Sequence, residues 1–139
     1  MKSFFDPAPI WQKPALGIIR IIIGIFMVYH GLEVFEANKI REYAGWDSIK
    51  SFPAPMALAY LGKLSELIGG ILLVLGLFTR LASLMIMVTM LFIAFVIGHG
   101  KIWYEDQYPF LFGLLALVIF FNGPGAWSLD QMIFKNKTA

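Results

Sequence analysis

Apolar residues occupy this chain in long blocks separated by short polar segments. The blocks predict helices at about 14–35, 55–78, 81–98 and 108–122, and the longest polar stretch is the loop 36–54. The third block, from Leu81 to Gly98, contains no charge. The second carries Lys63 and Glu66 well inside it, three residues apart and so on one helical face where they can pair. Gly62, Ser65, Gly69 and Gly76 in the same block are small enough to let a neighbouring helix come close. Thr79-Arg80 leaves almost no chain between the second and third blocks, which predicts antiparallel neighbours. The loop 36–54 mixes Lys39, Arg41, Glu42, Asp47 and Lys50 with Tyr43, Trp46 and Phe52. That pattern suits a short amphipathic piece at an interface, stopped by Pro53 and Pro55.

Composition decides what the blocks are. Of 139 residues, 59% are hydrophobic and 14% charged, too little polar surface to cover a soluble domain of this length. The expectation is an all-α fold: one transmembrane domain over 1–139, an integral membrane antiparallel four-helix bundle whose first partner is lipid. A signal peptide is excluded for the first block, which is too long, too polar-studded, and not followed by a small-residue cleavage site. The formal charge of +2 with scattered basic residues does not suit nucleic acid, and the absence of cysteine removes disulfides, thiolate metal sites and dithiol redox chemistry. Any electron transfer therefore needs a bound cofactor or a partner.

Four spans put both termini on one side. That side carries Lys2, Lys13, Arg80, Lys135 and Lys137, against Lys39, Arg41, Lys50 and Lys101 on the other. The balance leans to both termini in the cytoplasm of a cell whose inner membrane holds the protein.

An up-down-up-down path gathers the titratable residues in one half of the bundle. His30 and Glu33 lie near the exit of the first helix, Lys63 and Glu66 in the near half of the second, and His99 at the end of the third. Glu105, Asp106 and Tyr108 precede the fourth. These are candidates for ligand binding or proton relay. Each has a plainer use: His30 in helix packing, Glu33 in water, Lys63 snorkelling to the headgroups, His99 in a loop. Glu66 lies deepest, where an ionised carboxylate must face protein or a wet cavity. Arg20, in the opposite half, is expected to snorkel or to pair with the polar end of another helix. No metal set is expected. A di-iron bundle wants Glu-x-x-His on two helices, and here His30-x-x-Glu33 occurs once, reversed. His30 and His99 as haem ligands would both sit at one edge.

Three motifs fall in an order that resembles the DoxX family of small four-helix bacterial and archaeal membrane proteins. They are His30-Gly31, the block from Glu66-Leu67-Ile68-Gly69-Gly70 to Leu77-Phe78-Thr79-Arg80, and Asn122-Gly123-Pro124-Gly125-Ala126-Trp127-Ser128-Leu129-Asp130. The resemblance implies a membrane setting and a redox connection, with quinone as the cofactor it brings in and redox enzymes as partner subunits. It settles no reaction. Three readings stay open: an accessory, quinone-linked redox subunit with a polar half-cavity between its helices; a small transporter or permeability factor; and a scaffold without chemistry of its own. Self-association is open in all three.

Overall fold

Long apolar runs with few helix breakers must satisfy their backbone groups internally, and in this chain they do so as helices. The computed structural model describes residues 4–135, among which there is no strand. Lys2 and Lys137, counted above for orientation, lie outside the described residues. In chain order the helices are α1 (Gln12–Gly31), α2 (Ala37–Ala44), α3 (Asp47–Lys50), α4 (Pro55–Leu75), α5 (Thr79–Phe92), α6 (Gln107–Asn122) and α7 (Leu129–Phe134). A 3₁₀ turn, Leu32–Phe35, extends α1, and a π turn, Ile93–Ile97, extends α5. The segments Gln12–Phe35, Pro55–Leu75 and Thr79–Ile97 are long and apolar enough to cross a bilayer. The fourth, α6, has 16 residues, about 24 Å at 1.5 Å per residue, and so falls short of a hydrocarbon core of about 30 Å.

The helices pack in the sequence α1–α4–α5–α6, with α1 also touching α6. Their shared core is Ile23, Met27, Leu73, Ile86, Met90 and Ile119 with two alanines. Outward positions such as Ile22, Ile25, Ile68, Ile71, Val88 and Val118 stay exposed, as expected of faces that meet lipid rather than water. Trp11 and Trp127 stand exposed at one end of the bundle and Trp103 and Tyr104 at the other, the levels at which amphipathic rings prefer to sit.

Backbones approach most closely between α1 and α4. A Cβ at Gly24 would lie 2.8 Å from the Gly70 carbonyl, and one at Gly70 2.7 Å from the Val28 nitrogen. A Cβ at Gly31 would run into Leu67. Gly24 and Gly31 are seven residues apart, so both lie on the stripe that faces α4. Gly69 is pressed in the same way by Ile86 of α5. Gly62 departs from the expectation that it packs against a helix: a Cβ there would meet nothing within 4 Å.

The boundary between the second and third helices also differs from the sequence expectation. Helix α4 stops at Leu75 because Gly76 takes φ 65° as its cap, and Thr79-Arg80 are already the first turn of α5. The N-terminus of α5 is held from far along the chain. The Asp130 carboxylate accepts hydrogen bonds from the backbone N–H of Phe78 at 2.7 Å and of Thr79 at 2.8 Å, placing an anion where helix donors are otherwise unpaired. At the other end, Asp106 accepts from His99 N and Lys101 N and closes the loop before α6.

Candidate functional site

The site grows out of the α1–α4 approach. Because Gly31 lets α1 lie against Leu67, the 3₁₀ turn that follows carries Glu33 over the α4 face that bears Lys63 and Glu66. Lys63 Nζ then stands 2.9 Å from Glu33 Oε2 and 3.0 Å from Glu66 Oε2, one ammonium between two carboxylates. Glu66 is 3% exposed. It is the twelfth of the 21 residues of α4, about 16 Å along the helix from Pro55. Among the described residues, Lys63 is its one hydrogen-bond partner.

Helix α2 completes the network. Its Ile40 and Ala44 are buried and seat it against α4, which turns Lys39 and Tyr43, one turn apart, toward Glu33. Lys39 Nζ donates to Glu33 Oε1 at 2.9 Å and the Tyr43 hydroxyl donates to Glu33 Oε2 at 2.6 Å. The Lys63 ammonium also lies 5.0 Å from the centre of the Tyr43 ring, within cation–π range. Burial and the hydrogen bond to the Glu33 carboxylate push the Tyr43 hydroxyl above its ordinary pKa. The same carboxylate raises the Lys39 ammonium. A continuous chain of contacts therefore links buried Glu66, through Lys63 and Glu33, to half-exposed Lys39 at the end of the bundle.

Beside this network lies a cavity of about 640 Å³, bounded by α4, α5 and the π turn and roofed by Tyr43, Trp46 and Ile49. Lys63 and Glu66 border it with Ser65 and Thr89, while its remaining walls are chiefly apolar side chains such as Leu58, Met85 and Phe92. The wider π turn sets Ile93 and Ile97 into the wall, a local geometry that recurs at functional sites.

Of the five candidates, Glu33, Lys63 and Glu66 are brought together. His30 is exposed, its ring edge-on to Tyr29 at 5.6 Å. No hydrogen bond joins it to Glu66 among the described residues. His99 is exposed on the loop side, tied through its backbone N–H to Asp106, and does not border the cavity. Lys39 and Tyr43 join the network without having been singled out in the sequence. Their signal was the one-turn spacing of 39 and 43 beside the apolar pair 40 and 44. Among the described residues, no three of His, Asp and Glu stand together to hold a metal ion.

Arg20, at the far end, pairs with the polar end of a helix rather than snorkelling. It is fully buried. Its guanidinium donates to the carbonyls of Leu73 and Val74 in the last turn of α4, and to those of Pro124, Ala126 and Trp127 in the loop after α6. Five bonds use all five of its N–H groups.

The profile of the DoxX family matches residues 15–99, which include most of α1, all of α2 through α5 and the residues that line the cavity. An uncharacterized protein of Haemophilus influenzae is 32% identical over 86% of this chain and 91% of its own length. An uncharacterized membrane protein of Mycobacterium tuberculosis is 26% identical, covering 95% of this chain and 93% of its own. A Bacillus subtilis protein that bears the name "Putative oxidoreductase CatD" is 26% identical over 86% of this chain and 87% of its own. No solved structure matches. With apolar helices of membrane-spanning length and a family match over more than half its residues, this chain is a membrane protein and belongs to the DoxX family.

Proposed function

We propose that this protein is an accessory subunit of quinone-linked redox chemistry, and that the α4–α5 cavity receives the quinone ring. One observation carries the reading: a buried Glu66–Lys63 pair faces a mainly apolar cavity halfway along a membrane-spanning helix. A volume of about 640 Å³ falls in the range of small-molecule sites. The residues suit a ring with carbonyl oxygens. Lys63 and the hydroxyls of Ser65 and Thr89 offer donors to those oxygens, Glu66 offers an acceptor to a hydroxyl of the reduced ring, and the Trp46 and Phe92 rings offer flat apolar contact. A bound quinone would supply the electron-carrying couple, which the chain's own side chains lack. What the chain supplies is a mainly apolar pocket, orientation, and a run of ion pairs that links Glu66 through Lys63 and Glu33 to Lys39 near the water.

The name of the Bacillus subtilis relative, an oxidoreductase, is in keeping with this reading. We place the protein in the inner membrane, both termini cytoplasmic, alongside redox-enzyme partners. The transporter reading has less support. Between Glu66 and Arg20 the bundle is filled by Ile23, Leu73, Ile86 and Ile119, and Arg20 itself is locked onto carbonyls.

Trp46 borders the cavity, whereas Trp11, Trp103 and Trp127 do not. Saturable quenching of Trp46 fluorescence by decylubiquinone in nanodiscs is therefore expected and lost in Trp46→Phe, and displacement of the quinone by decylubiquinol, whose hydroxyls can donate to Glu66, should be about tenfold or more weaker in Glu66→Gln. Absence of saturable quenching, or equal decylubiquinol affinity in wild type and Glu66→Gln, would overturn the assignment in favour of a scaffold whose ion pairs only set helix register.

A further inference from the structure

We infer that the cavity opens sideways into the hydrocarbon between α4 and α5, and that Gly62 is the specificity-determining residue that keeps this portal clear for a ligand's apolar tail. The inference rests on the reading of the cavity as a ligand site and adds the route by which that ligand arrives. Gly62 borders the cavity. Glycine inside a helix is less stable than alanine by about 0.8–1.0 kcal/mol, and at Gly24, Gly31, Gly69 and Gly70 close packing explains it. At Gly62 nothing lies within 4 Å of where a Cβ would stand. No helix needs this residue small, and it leaves the space beside it unfilled.

The rim of that space is apolar and uncovered. Leu61 is 62% and Val88 57% exposed, and both border the cavity from helices of membrane-spanning length, so what they meet is lipid. The aqueous end is covered instead, by Tyr43, Trp46 and Ile49. Depth restricts the occupant further. A group reaching Glu66 must travel about 16 Å inward from the start of α4. A charged phosphate head resists that path, while a neutral polar ring on a hydrocarbon tail does not. The ligand class is thus a bilayer-dissolved amphiphile with a small neutral head, its tail leaving past Gly62.

The chain has no cysteine, so Gly62→Cys can carry a single nitroxide in the full-length protein in nanodiscs. Collision with dissolved oxygen should exceed collision with a water-soluble nickel chelate, as at a lipid-facing position. Nickel-dominated relaxation, or shielding from both, overturns the portal. Alongside it, Gly62→Phe should weaken decylubiquinone at least about tenfold, the worth of about two buried methylenes, while tail-less ubiquinone-0 loses much less and Gly62→Ala stays near wild type. Equal loss of both quinones, or no loss of either, also overturns it. If the wild type binds neither quinone while the nitroxide remains oxygen-accessible, the quinone assignment falls and the portal stands.

Discussion

Lys63 holds two carboxylates at once, and this makes the two halves of the buried pair unequal. Replacing Glu66 by Gln leaves Lys63 against Glu33 at 2.9 Å, with its side chain 15% exposed. The ammonium keeps a full partner, and the loss is one charge-assisted hydrogen bond, about 1.5–3 kcal/mol. Replacing Lys63 by Met strands Glu66 and takes one of three hydrogen-bond donors from Glu33. Removing one partner of a buried pair costs about 3–5 kcal/mol. Neutralising Glu66 in that background removes the stranded charge, so the double variant Lys63→Met/Glu66→Gln should be more stable than Lys63→Met alone. The coupling must then exceed the cost of Glu66→Gln alone, about 1.5–3 kcal/mol, and make the double loss smaller than the sum of the two single losses. Equilibrium unfolding of the four proteins in mixed detergent micelles, followed by far-UV circular dichroism, measures all three differences. The reasoning fails if Glu66→Gln costs as much as Lys63→Met, or if the two losses add.

Three further outcomes follow from the same geometry. Arg20→Lys, which keeps the charge but offers three donors for five carbonyls, should lower the detergent melting temperature and speed proteolysis at residues 124–127; unchanged cleavage would mean that the guanidinium does not hold that loop. Gly70→Ala should destabilise, since its Cβ would meet the Val28 backbone at 2.7 Å, whereas Gly62→Ala should be neutral or stabilising by up to about 1 kcal/mol; thermal melts giving the reverse order would refute the close α1–α4 packing. Tyr43, raised by burial and by Glu33, should keep its proton in the folded state above pH 10, where an unfolded tyrosine loses it. Its stabilising contribution is therefore full below pH 10 and declines as pH rises through its folded pKa. Ultraviolet titration of wild type against Tyr43→Phe checks this, and a Tyr43 that ionises with the exposed tyrosines would contradict it.

Much of the architecture was legible locally. Apolar block length and the scarcity of charge determine helices in a membrane, because a bilayer leaves the backbone no other partners. The Lys63–Glu66 pair follows from a three-residue spacing. The rest depends on what meets what. Asp130 caps α5 from 51 residues away, so no local pattern announced where α5 begins. Arg20 found its five carbonyls at a helix end and a loop that only folding brings together. Glu33 reads in the sequence as a carboxylate near water. Gly31, by letting α1 settle onto Leu67, swings it over Lys63 and beneath α2, where Lys39 and Tyr43 close around it. Gly62 and Gly69 look alike along the chain; one is pressed by Ile86 and the other borders a cavity. Spacing determines which residues share a face, but the faces opposite them, and the gaps left between, exist only once the helices have packed.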